Sequence, residues 1–154
     1  MGVRRFAVTY ALRFTSLLFV VLALVPAGAH LFSMLGKLRL SRAEYLAAQR
    51  AYDGWSLFGI VVFGALILLF ALAVRLYRSG EPYALTVTAF LCVAGTQAVF
   101  WLFTFPANRA THNWTVLPEG WEAIRLQWEY SHAASAILNF IALVAMLISI
   151  IRTN

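Results

Sequence analysis

Along the chain, long apolar runs alternate with shorter polar ones. The first run covers about Thr9 to Leu35, the second Trp55 to Tyr77, the third about Tyr83 to Phe105 and the fourth about Ser131 to Ile151. Each is close to the ~20 residues a helix needs to cross a hydrocarbon core. The pattern therefore predicts four transmembrane helices, with cap segments at 36–54 and 106–130. Pro26 predicts a kink in the distal half of the first span, and Pro106 predicts an end to the third. Arg13 can snorkel from the first span to the near interface, Arg75 and Arg78 close the second span, and Arg152 closes the fourth. An even number of crossings places both termini on one side.

The two longer connections also carry helical signals. Ser41-Arg-Ala-Glu44 is a capping box, and Tyr45, Ala48, Tyr52 and Trp55 recur behind it at helical spacing. Pro118 followed by Glu119 reads as a helix start, and only Gly120 interrupts the pattern from there to Ile151. Such a helix would be roughly 50 Å long, well beyond the ~30 Å hydrocarbon core. The expected fold is an all-α integral membrane protein. It is a single four-helix domain over residues 1–154, with two helices extended into a polar cap on the non-cytoplasmic face.

Composition agrees with that class. The chain is 62% hydrophobic and only 12% charged, against the ~25% charged residues usual in a soluble domain. The net charge of +6 comes from arginines that flank apolar runs, which suits acidic lipid. No Gly-rich phosphate loop, zinc knuckle or basic-aromatic stripe is present, so nucleic acid is not an expected partner; the lipid bilayer is. Lys37, Arg39, Arg42, Arg50, Arg109 and Arg125 lie on the cap side. Arg4, Arg5, Arg13, Arg75, Arg78 and Arg152 lie on the other. The counts are equal, but the second set crowds short segments, which predicts both termini in the cytoplasm and a plasma (inner) membrane location. Arg4 and Arg5, the apolar stretch after them and Ala27-Gly28-Ala29 also fit a signal peptide; the segment is read here as the first span. Cys92 stands alone in an apolar run, which excludes a disulfide or a thiol relay within one chain.

The candidate chemistry is concentrated near the cap. On the fourth helix Arg125, Glu129, His132 and Asn139 follow steps of four, three and seven residues and share one face. The third span offers Gln97, Trp101 and Thr104, with Asn108, Arg109 and His112 following it, and the first offers His30 near the same interface. Polar side chains at this depth usually face the bundle interior or a wet cavity. Two readings stay open: a polar-lined cavity, or helix-to-helix glue in which Gln97 and Asn139 pair. Glu129-x-x-His132 also occurs in di-iron bundles. A metal site from His30, Glu129 and His132, mononuclear or dinuclear with iron or copper, therefore stands beside the simpler expectation of no cofactor. In the latter, Glu129 accepts from Arg125 and His132. Trp114, Trp121 and Trp128 read as interfacial anchors.

The stretch FPANRATHNWTVLPEGWEAIRLQWEYSH, with AGAHLF near the end of the first span, resembles the anthrone-oxygenase-like family of small four-span membrane proteins. In that family the approach to the last span often reads Trp-x-x-x-His-x-x-Arg; Trp128 and His132 fit, and Ser135 stands in the arginine position. The resemblance implies a membrane oxidoreductase of the oxygenase kind acting on a lipophilic aromatic. His132 or His112 would be the base, Asn108 and Arg109 would stabilise the anion formed, and Gln97, Trp101, Asn139 and Trp128 would line the substrate site. The competing expectations are a non-enzymatic subunit that docks a membrane protein partner, or a homo-oligomer, through the cap, and a binding protein or carrier for a lipophilic ligand. Transport is disfavoured because the sequence has no inverted repeat and no pair of broken helices.

Overall fold

A computed structural model describes residues 2–152, with side chains from residue 7 onward. The side chains of Arg4 and Arg5, named above as flanking charges, lie outside the described residues. The chain forms α1 (Gly2–Lys37), α2 (Arg42–Gln49), α3 (Phe58–Ser79), α4 (Ala84–Val99), α5 (Phe105–Ala110) and α6 (Trp121–Ile151). Two 3₁₀ turns, Arg50–Tyr52 and Trp55–Leu57, link α2 to α3, and a π turn, Phe100–Thr104, joins α4 to α5. Four stretches are long and apolar enough to cross a membrane: Ala7–Lys37, Trp55–Ser79, Ala84–Ala110 and Trp121–Ile151. The protein is a multi-pass, all-α membrane bundle.

Helices that follow one another in space pack in a ring, α1 against α3 and α6, and α4 against α3 and α6. Away from the cap the centre is aliphatic and tight: Val20, Ala65, Leu69, Leu72, Leu76, Val93 and Met146 are almost wholly buried. Small residues let the helices approach, as expected where lipid gives no hydrophobic drive for association. Gly64 is one such place, since a Cβ there would run into the Phe19 ring. At the cap end a second, aromatic centre gathers Tyr45, Trp114, Trp121 and Trp128 with Ala107 and Leu117.

Two boundaries differ from the sequence expectation. The third span does not stop before Pro106; it runs on to Ala110. Proline lacks the N–H that a continuing helix would use, and the wide turn at Phe100–Thr104 puts Pro106 in the first turn of α5, where that donor is not needed. The fourth helix begins at Trp121 rather than Pro118, because Gly120 takes a left-handed conformation (φ 71°) just before it. Its 31 residues still make roughly 46 Å of helix at 1.5 Å per residue, so it projects beyond a bilayer core as expected. Arg13 reaches the turn between α3 and α4, where it forms an ion pair with Glu81 at 2.9 Å.

The cap is stitched by long-range bonds. Ser41 donates its N–H and hydroxyl to Glu44 at 2.8 and 2.6 Å, starting α2 as the capping box predicted. These bonds hold the Glu44 carboxyl below its ordinary pKa. Arg42 donates to the Leu117 carbonyl. Arg125 donates to the Leu40 carbonyl at 2.9 Å and lies over the rings of Trp121 and Tyr45.

Candidate functional site

On α1, Thr9, Ser16, Ala23, His30 and Lys37 fall seven residues apart, and all five are buried. Seven residues are close to two helical turns, so these positions share one face; its Thr9 end accepts a bond from Arg75 of α3, and its cap end meets α6. The repeat carries His30 and Lys37 inward at the cap end. There the His30 ring stacks on His132 of α6, with centroids 4.0 Å apart and planes inclined by 19°. Three more rings close on His30: Tyr52 at 4.3 Å, Trp128 at 4.9 Å and Trp55 at 5.4 Å. Trp128 also stands edge-on to His132 at 4.3 Å.

Above the stacked pair lies a buried ion pair. Lys37 Nζ is 2.8 Å from Glu129 Oε2, and the two residues are 5% and 1% exposed. Removing two charges from water costs several kcal/mol per ion, so the surroundings must return much of it. Tyr45 donates its hydroxyl to Glu129 Oε1 at 2.9 Å. Lys37 Nζ lies 3.4 Å from His30 Nδ1 and 5.0 Å from the ring centres of both Tyr52 and Trp128. Charge-assisted bonds and ring faces are the interactions that hold such an ammonium away from water. Burial, together with the negative charge of Glu129 and the bond to it, pushes the Tyr45 phenol above its ordinary pKa.

His132 differs from its partner. It is half-buried, and among the described residues no hydrogen bond reaches its ring. What covers His30 is also lightly tied: the backbone bonds of the turns around Tyr52 and Trp55, Asp53 N–H to Arg50 O and Leu57 N–H to Gly54 O, are local. This strap sits on His30 by ring packing.

The structure brings together only some of the residues singled out from sequence. His30, Glu129, His132 and Trp128 meet. Asn108 is half-buried beside them, and its Oδ1 accepts from Trp128 Nε1 at 2.7 Å and Trp114 Nε1 at 3.1 Å; it braces the Trp128 wall. Arg109 and His112 are exposed on the cap surface, His112 opening a run of three left-handed residues with Asn113 and Trp114. Gln97 bonds to its neighbour Thr96 at 3.5 Å, and Trp101 is 56% exposed. Asn139 is buried two turns below His132, and its Oδ1 has no hydrogen-bond partner among the described residues. Gln97 and Asn139 do not pair with each other. Among the described residues no three His, Cys, Asp or Glu side chains are grouped to hold a metal ion. Glu129 is turned to Lys37 and Tyr45, not to Arg125 and His132.

Sequence reasoning missed Lys37, Tyr45, Tyr52 and Trp55 as members of this cluster. The seven-residue repeat on α1 was the available signal for Lys37. A groove of about 590 Å³ also runs between α1 and α6, lined by apolar residues that include Val25, Gly28, Phe32, Ala136 and Phe140. His30 is not among its lining residues; Gly28, which is, sits roughly 200° around α1 from it. Neither a family model, nor a curated protein, nor a solved structure matches the chain, so the functional reading rests on this geometry and on the motif resemblance.

Proposed function

We propose that the protein is a membrane-embedded oxidoreductase of the oxygenase kind. It acts on a lipophilic aromatic with an acidic C–H, with the cap and its site on the non-cytoplasmic side and both termini in the cytoplasm. The observation that carries the reading is the stacked His30–His132 pair inside an aromatic enclosure, with no hydrogen bond to the His132 ring among the described residues. The resemblance of the Pro106-to-His132 stretch to anthrone-oxygenase-like proteins supports it.

In this reading the substrate reaches the pair by displacing the Tyr52–Trp55 strap and lies against Trp128. His132 takes a proton from an activated CH₂ group as general base. The carbanion passes one electron to O₂, and the resulting radical pair joins through a new C–O bond to give a peroxide. Protonation of the outer oxygen, loss of the second C–H proton and cleavage of the O–O bond give a carbonyl and water. The sum is CH₂ + O₂ → C=O + H₂O, balanced without an outside reductant. The groove between α1 and α6 favours a second reading, a binding protein for a lipophilic ligand. Its wholly apolar lining offers nothing for proton transfer.

The test is oxygen uptake and quinone absorbance with anthrone, using protein in lipid nanodiscs. The expected result is one O₂ consumed per carbonyl formed, falling by about a hundredfold or more in His132→Ala, the lower end of what a general base contributes. Turnover that His132→Ala leaves unchanged, or no turnover of anthrone above the lipid blank, would overturn it.

A further inference from the structure

The Lys37–Glu129 pair is the one feature of the cluster that the proposed reaction does not use, and a costly one to keep at this depth. Its geometry has a chemical consequence at His30. An ammonium has only donors to offer, so the 3.4 Å approach of Lys37 Nζ to His30 Nδ1 makes that nitrogen the acceptor. The ring proton of His30 then belongs on Nε2. Lys37 in turn is held by Glu129 at 2.8 Å, and Glu129 by the Tyr45 hydroxyl at 2.9 Å. The chain from Tyr45 to His30 thus fixes one tautomer, while His132, stacked on it, has nothing fixing its own.

We infer that Lys37 is a positioning residue that locks His30 as an Nε2–H donor, so that the stacked rings form an unlike pair: His132 accepts a proton and His30 donates a hydrogen bond to the oxygen of the anion formed. This rests on the reading of the pair as an acid–base site. It also narrows the substrate class to aromatics whose carbanion is shared with a conjugated carbonyl oxygen, as an enolate or phenolate, since only these present an oxyanion for His30. The positive charge of Lys37 stands directly behind that donor.

The experiment is ring-¹⁵N spectroscopy of histidine-labelled protein in lipid nanodiscs, run beside the anthrone assay. The chain has three histidines, and His30→Gln assigns the signal of interest. In the unsubstituted protein His30 is expected as a single Nε2–H tautomer; a mixture of tautomers would overturn the inference with no variant needed. The double change Lys37→Met with Glu129→Leu removes both charges, and apolar replacement of a buried pair is commonly tolerated by the fold. It is expected to melt no lower than the parent, to release His30 into a tautomer mixture and to lose roughly tenfold or more of anthrone turnover. Lys37→Arg, which keeps the charge beside Glu129, should restore part of that loss. A folded double variant with the His30 tautomer and turnover intact would show that the pair is only structural. A locked His30 in a protein that never oxidises anthrone would refute the oxygenase reading while leaving the lock in place.

Discussion

The two buried centres of this bundle are built from opposite materials. Below the histidines, Val20, Leu69, Leu72, Val93 and Met146 fill the space between helices with aliphatic carbon. At the cap end, Tyr45, Trp114, Trp121 and Trp128 surround two imidazoles and an ion pair. In lipid, aliphatic side chains gain nothing from leaving a solvent as apolar as themselves, so the lower centre is held by fit. The upper centre is held by complementary charge and hydrogen bonds, each strong in a dry setting and each costly when a partner is lost. A bundle meant only to cohere could use the lower material throughout. The change of material at one end coincides with the histidine pair on which the proposed reaction is built.

Substitutions on either side should separate the two regimes, measured as unfolding in bicelles. The largest loss is expected for Lys37→Met alone, which strands the Glu129 carboxylate and should cost about 3–5 kcal/mol. Leu69→Ala in the lower centre leaves a cavity but forfeits little transfer energy in lipid, and about 2 kcal/mol is expected. Equal losses for these two would erase the contrast. Tyr45→Phe removes one bond to a charged group and should cost about 1.5 kcal/mol.

Tyr45 also gives a pH signature. Its folded pKa is raised, chiefly by burial and then by Glu129. The unfolded chain would release the phenol proton near pH ~10, whereas the folded protein keeps it. The stability this group contributes is therefore full below that pH and declines as pH rises further. At roughly pH 10.5 the native protein and Tyr45→Phe should show the same tyrosinate absorbance, although one has an additional tyrosine. The smallest effect is expected at Ser41→Ala, about 1 kcal/mol or less from the loss of one helix cap, with the histidine ¹⁵N signals unchanged.

Much of this was legible from residue spacing alone. The apolar runs gave four spans, the capping box gave α2, and the stripe on α6 found Glu129 and His132 because their side chains face one way. The partners of Glu129 were not found, for a physical reason. Ending the first span at Leu35 made Lys37 a loop cation, when one further half-turn of helix carries it inward beside His30. Helical spacing groups Tyr45 with Ala48, Tyr52 and Trp55 and says nothing of its hydroxyl, which matters only once α6 lies opposite. Arg109 and His112 are close in sequence to the site but exposed, because the turn through His112, Asn113 and Trp114 directs Trp114 inward instead. Spacing within a helix is written in the chain; the choice of partner across helices depends on rotation and depth.

The wide turn at Phe100–Thr104 works as an angular spacer. Each residue advances an α-helix by about 100°, whereas the π turn fits five residues into about the angle that four α-helical residues cover, so rewinding all five as ordinary α-helix would swing everything beyond them, Asn108 included, by about that angle. The amide oxygen that now receives two indole N–H groups would face elsewhere, and the Trp128 wall beside the histidines would lose its brace. A change of winding in a stretch that carries no ionisable side chain of its own would thereby alter the packing around the histidines.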